Sequence, residues 1–403
     1  MISDLTIHSK VQTEKENMYR FLRDIVAIPS QDGIEGAVIR RIQREMEDCG
    51  FDTVKVDEMG NCIGTIGRED ADQVLAFDAH IDTVDTGVLE QWSFDPYMGK
   101  EDEEYIYGRG SCDQKAGLAA MVYAGKILKE IGIENVRVVM VASTLEEECE
   151  GLCWQEIING EEVHPTAVIS TEPTGMKVNL GHRGRVDLSV EVMGKSAHGA
   201  MPELGINAVT RMAEIIREIT GLSQRLAEDE FLGKGTLNIS AIESEAASKC
   251  AVPDRCRIMI DRRLTYGETP ELAVKEIQEL PLVQKYQATV GVEHFYKTAY
   301  TGKKFDVLCK FPTWKMSREE PLCRLAGKMV EQVTGKPVEY SAWKFSTNGV
   351  AINGIYRIPC IGLGPGNEEQ AHSIDEYVSK KQMEQALESY ILIALEFYST
   401  ISA

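Results

Sequence analysis

Five short stretches of this 403-residue chain carry side chains of the types that can hold divalent metal ions. They supply His80 and Asp82 in DAHIDTVDTG, Asp113 in YGRGSCDQKAG, Glu146 and Glu147 in LEEECEG, Glu172 in STEPTG, and His372 in GPGNEEQAHSIDEY. Imidazole and carboxylate together suit zinc, and a set without thiolates leaves room for water where closed structural sites do not. Taken singly, each has a bland reading. Asp113 reads as a helix N-cap, the glutamates as a solvated face, Glu172 as a turn residue before Pro173, His372 as a loop histidine, and the HxD as a capped strand end. Taken together they argue against accident, because all fall at the ends of predicted α/β elements, where open sheets gather their ligands.

Those elements follow from hydrophobic periodicity. Val74, Leu75, Ala76 and Phe77 form a buried strand that stops near His80, and Asp82, two residues on, shares its face. VRVVMVAST at 136–144 is a second two-sided strand, and LAAMVYAGKILKEIG at 118–132 is the helix between them. Upstream, Met18, Phe21, Leu22, Ile25 and Val26 predict a helix over 14–28, stopped before Pro29. A helix at 35–49 and strands at 53–57 and 61–66 follow. After Arg183 the texture changes: Val186, Leu188, Val190 and Val192 alternate with Asp187, Ser189 and Glu191, as in a half-exposed antiparallel strand. A helix at 207–220, strands at 236–242 and 255–264, a helix at 270–280 and a strand at 288–296 complete the order β-α-β-β-α-β of a ferredoxin-like unit. From about 320 the α/β texture returns, with a helix at 320–334, a strand at 359–363 and a helix at 380–399. The expected fold class is α/β: a catalytic domain with a mostly parallel central sheet, in two parts (1–182 and 299–403), interrupted by an inserted α+β domain at 183–298.

Composition removes several partners. With 64 acidic and 43 basic side chains the formal net charge is -21, which repels nucleic acid and anionic membranes, so neither is expected as a partner. No apolar run reaches the length of a membrane span, and the charged N-terminal stretch has no signal-peptide pattern. Ten scattered cysteines without paired CxxC spacing read as reduced thiols, and the expected compartment is the cytoplasm.

The motifs in order, FDAHIDTVDTG, QWSFDPY, IYGRGSCDQKAGLAAM and then SAHGAMPELGINAV, make the chain resemble the M20 family of zinc-dependent amidohydrolases and peptidases from about residue 14 to 398. EEECEGLCW and GHRGR are most similar to its branch labelled selenium-metabolism-linked hydrolases, a label of context and not of reaction. The resemblance implies a zinc-exopeptidase-like catalytic domain carrying a lid that also dimerises. It implies two Zn2+ per chain, with Co2+ or Mn2+ as substitutes, bridged by Asp113. One is also held by His80 and Glu172, the other by Glu147 and His372. Asp82 then orients His80, and Glu146 is the general base that takes a proton from the bridging water and passes it to the leaving nitrogen. The bond after Asp113 is expected to be cis. His198, in the inserted domain, is expected to reach a partner chain's site in a homodimer and stabilise the oxyanion. Arg263 is expected to grip the carboxylate of a small-molecule substrate, with Arg262 pointing to the opposite strand face.

Several departures from the family pattern leave alternatives open. Leu145-Glu146-Glu147-Glu148 stands where members usually show Asp-Glu-Glu, so a base and ligand register of Glu147 and Glu148 competes with that of Glu146 and Glu147. Lys249 and Cys250 replace an asparagine, and Asn348 replaces an aspartate, at positions expected near substrate. The leading reading is hydrolysis of an amide C–N bond in an N-acyl or N-carbamoyl amino acid or a dipeptide. A catalytically silent homologue and a binding module with structural zinc are its competitors from other classes.

Overall fold

A computed structural model describes residues 4–147 and 149–401. Its larger layer is a nine-stranded sheet. At its centre Val136–Ser143, Gln73–His80, Ala167–Ser170 and Cys360–Gly362 run side by side in parallel. These strands are buried along nearly their whole length, which is why they read as unbroken apolar runs. Toward both edges the pairing is mixed, with Cys62–Ile66 antiparallel to Val136–Ser143 and Val178–His182 antiparallel to Cys360–Gly362. The four central strands are thus parallel, while the pairing on either side of them includes antiparallel neighbours from distant parts of the chain.

Helices Asp4–Val26, Ala116–Ile131 and Lys380–Ile401 pack on one another and share a single apolar core with the sheet. The first helix starts well before the expected residue 14. Ile7 and Val11 are buried and extend the stripe of Met18, Leu22 and Ile25 by two more turns.

A second sheet has the order Thr236–Glu245, Arg255–Leu264, Gly184–Met193, Thr289–Val292, with every neighbouring pair antiparallel. This is the ferredoxin-like arrangement the element order predicts. Helices Ala208–Leu222 and Pro270–Gln278 cover one face, where Val186, Leu188, Val190 and Val192 meet Met212, Ile215, Ile219 and Ile277 in a separate core. The strand expected at 288–296 divides at Glu293. His294–Thr298 leaves the sheet to pair with Lys304–Leu308, because Glu293 spends its own N–H on Asp187 and its carbonyl on Cys309. Arg262 lies on the helix-covered face, with its guanidinium on Glu268 at 2.5 Å, while Arg263 faces the other way.

Candidate active site

Three of the parallel strands end at one rim, and the candidate ligands follow directly. His80 is the last residue of its strand, Glu146 and Glu147 follow Ser143, and Glu172 follows Ser170. His372 comes from the loop after Cys360–Gly362, and Asp113 immediately precedes the helix that begins at Ala116. Side chains more than 290 residues apart thus meet at the carboxyl ends of a parallel sheet.

The geometry divides into two halves about Asp113. Its Oδ1 lies 3.1 Å from His80 Nε2, and its Oδ2 lies 3.5 Å from His372 Nε2. Glu172 Oε1 and Glu146 Oε2 approach His80 Nε2 at 3.7 and 3.8 Å, while Glu147 Oε2 is 3.0 Å from His372 Nε2. Two sets of candidate ligand atoms, from His80, Asp113 and Glu147 and from His80, Glu146 and Glu172, each fall within 4.8 Å of one another. The Asp113–Gln114 peptide bond is cis, in line with the resemblance. Leu145 (φ 57°) and His372 (φ 60°) adopt the left-handed region. That conformation costs a residue with a Cβ roughly 1–2 kcal/mol and is held here by the surrounding structure.

The donor set fits divalent cations. Glu146 Oε1, Glu172 Oε2 and Asp82 Oδ1 are buried with no hydrogen-bond partner among the described residues. Burial pushes the Glu146 and Glu172 carboxyls well above the usual range, against the pull of His80. Burial opposes a charged His80 as well, yet Glu172 and Glu146 raise its proton affinity. Without metal this cluster would take up protons to relieve its own repulsion, and those protons are what divalent cations displace.

Asp82 meets the His80 ring chiefly through its main chain. The atom bonded to His80 Nδ1 is the Asp82 main-chain carbonyl, at 2.9 Å, with its carboxylate Oδ1 at 3.7 Å. A carbonyl only accepts, so Nδ1 carries the proton and Nε2 keeps its lone pair toward the cluster. The carboxylate instead accepts the Glu147 N–H at 2.8 Å, fixing the glutamate loop. Glu148, needed for the alternative register, lies outside the described residues.

Arg263 lines the cleft, a cavity of about 320 Å³ that also exposes the metal-type ligands. His198 is not among its lining residues; it is exposed on the second unit, where its Nδ1 accepts the Ala200 N–H at 3.0 Å. Lys249 and Cys250 are exposed beside it, with the Gly199 N–H on the Cys250 carbonyl at 2.6 Å. The expectation for Asn348 is corrected. It is buried under the floor, accepting from Gly151 N at 2.9 Å and donating to Asp78 Oδ2 at 3.0 Å, so it does not face a substrate. An aspartate in that position would set a second buried carboxylate against Asp78.

Sequence reasoning missed Glu376, which is fully buried. Its carboxylate accepts from Arg109 Nη1 (2.7 Å), Gly110 N (3.0 Å), Cys112 N (2.7 Å) and Asp113 N (3.0 Å), anchoring the loop that presents Asp113. Its place four residues after His372 was the available signal.

His182 was also missed. It is fully buried, and the Thr347 N–H points at its Nε2 at 3.1 Å. Nε2 therefore accepts, and Nδ1–H donates to the Arg183 carbonyl at 2.9 Å. Burial pushes its pKa down to about 4. Unfolded histidine titrates near about 6.5, so the neutral ring's contribution to stability is complete above that pH and is lost as pH falls toward the folded value. NMR should find the His182 ring neutral at about pH 5, where an ordinary histidine is charged. A charged ring there would refute the assigned hydrogen bonds.

Comparison with known proteins bears on this site. The family described as Peptidase family M20/M25/M40 matches residues 76–396. The uncharacterized protein YgeY of Escherichia coli K12 is 46% identical over 395 residues, covering 98% of each chain. A succinyl-diaminopimelate desuccinylase of Cereibacter sphaeroides is 23% identical over 93% of this chain and 97% of its own. The crystal structure of aminopeptidase PepT from Bacillus cereus superposes with a TM-score of 0.74 at 21% identity, covering 95% of this chain and 99% of that one.

Proposed function

Because this chain belongs to peptidase family M20/M25/M40 and is a metal-dependent hydrolase, we propose that it cleaves the amide C–N bond of a small substrate bearing a carboxylate, using two zinc ions. The observation that carries this reading is Asp113, whose two oxygens face His80 on one side and His372 on the other. One carboxylate between two imidazoles, each with a further glutamate, suits a pair of divalent cations. His80, Glu172 and Asp113 would hold one ion, and Glu147, His372 and Asp113 the other. When bound, such a pair supplies Lewis acidity and lowers the pKa of a water toward about 7.

The chain's own groups do the rest. Glu146 is buried in the cleft beside His80, with its Oε1 without a hydrogen-bond partner among the described residues, and in this reading it takes the water's proton and returns it to the leaving nitrogen. Asp82 holds the His80 ring through its carbonyl and the Glu147 loop through its carboxylate. Arg263, with Nε and Nη2 on Asp261, faces the substrate carboxylate. The desuccinylase name among the relatives supports amide hydrolysis next to carboxylates, and N-acyl amino acids, N-carbamoyl amino acids and dipeptides form the substrate class. Nine buried and one exposed free cysteine support a cytoplasmic setting, and among the described residues no helix is long and apolar enough to cross a membrane.

The zinc-loaded protein is expected to hold about two ions per chain and to lose activity reversibly to a chelator. Elemental analysis finding one ion in a fully active enzyme would overturn the dinuclear reading. Profiling that enzyme against the three substrate types tests the reaction, and turnover of none would overturn the amide hydrolase.

A further inference from the structure

Apart from the metal-type cluster, the charged wall of the cleft includes Glu150, Arg185 and Arg263. The two arginines stand on neighbouring strands of the second sheet, directly opposite each other, and two residues along Asp187 and Asp261 also face each other. Like charges placed directly across an antiparallel pair are destabilising. Glu150, Asp187 and Asp261 offset that repulsion, and the Arg–Arg pair lies on the face turned toward the cleft.

Both side chains are held in place with donors to spare. The Arg185 guanidinium lies 4.5 Å over the Phe311 ring, and its Nη2 donates to Glu150 Oε2 at 3.1 Å. Its Nε is buried without a hydrogen-bond partner among the described residues, 3.6 Å from Asp187 Oδ2. Arg263 spends Nε and Nη2 on Asp261 at 2.8 and 3.0 Å. A guanidinium carries five N–H donors and no acceptor, so each arginine retains donors that none of the described residues uses.

We propose that Arg185 is a second substrate-binding guanidinium, sharing the substrate's carboxylate with Arg263, and that Glu150 sets its direction. This deepens the proposed function and rests on its reading that the substrate bears a carboxylate. A carboxylate offers about four lone-pair sites and can accept from two guanidinium groups at once. A carboxamide would turn an NH2 group toward donors that cannot accept from it. The pair therefore selects an acid over its amide, whereas an Arg185 that only docked the second sheet onto the Glu146–Gly151 loop would not distinguish them.

The test reads binding and not turnover. Cobalt-loaded protein is titrated with N-(2-mercaptoacetyl)glycine and with its carboxamide, following the thiolate-to-cobalt absorption band. The wild-type chain is expected to prefer the acid. Arg185→Gln should cut that preference by about 10- to 100-fold and leave the amide's affinity unchanged, the usual range for a bond to a charged group. Arg185→Lys keeps the charge without the fork and should fall between the two. It carries the same comparison if the glutamine variant does not fold. Equal weakening of acid and amide, or an unchanged preference, would overturn the role of Arg185. A wild-type chain without acid preference would instead overturn the carboxylate reading on which the inference rests.

Discussion

Glu146→Gln is expected to keep the fold and both metal ions and to lower turnover by about 10²- to 10⁴-fold, the usual contribution of a positioned general base. The amide has the size of the acid but cannot carry the proton from water to leaving nitrogen. Glu146 Oε2 is 3.8 Å from His80, its Oε1 has no partner among the described residues, and it stands outside the two proposed ligand sets. Glu147 stands differently. Its Oε2 is 3.0 Å from His372 Nε2, and its N–H is tied to Asp82. Glu147→Gln should therefore reduce the bound metal from about two ions to about one per chain. Metal analysis beside steady-state kinetics for the two variants decides the register. Full metal content with lost turnover in Glu147→Gln would assign the base to Glu147 and the ligand to Glu148.

How far the sequence could be read depended on whether a residue's partner is local. His80, Glu146, Glu147 and Glu172 were legible because each follows a buried apolar run, and the ends of such runs in a parallel sheet converge. His372 was legible only as part of that set. The flanks were not legible: Val178–His182 pairs antiparallel with 314–315 and 360–362 and parallel with 340–343, and nothing local to it states those partners. Glu376 looks like one more loop acid until it is found under the Gly110–Asp113 backbone. Asn348 illustrates the opposite error. Its position in the chain suggested a substrate contact, yet its direction is set by Asp78, 270 residues earlier. Arg185 carried no reading in the sequence, because the cross-strand neighbour that gives it meaning is fixed only by register.

We propose that His198 acts in the cleft of a second copy of the chain. It is exposed, outside the lining of its own cleft, and its Nδ1 accepts from Ala200, so the proton sits on Nε2 and the ring presents a donor outward. The strand Thr236–Glu245 forms an edge of the same sheet and is mostly exposed, with Ile242 more than half accessible at 55%. An open edge of this kind favours closure by an identical copy about a two-fold axis. If His198 then enters the partner's cleft as the oxyanion donor, an isolated monomer should bind metal yet lose about 10²- to 10³-fold in turnover. The decisive experiment mixes two inactive variants. His198→Ala keeps its metal cluster and lacks the donor, whereas His372→Ala keeps the donor and lacks the cluster. Each heterodimer would contain one complete site, so an equal mixture after full exchange should regain about one quarter of wild-type activity, half the dimers being mixed with one working site of two. No recovery after demonstrated subunit exchange would mean that His198 serves its own chain or takes no part in the reaction.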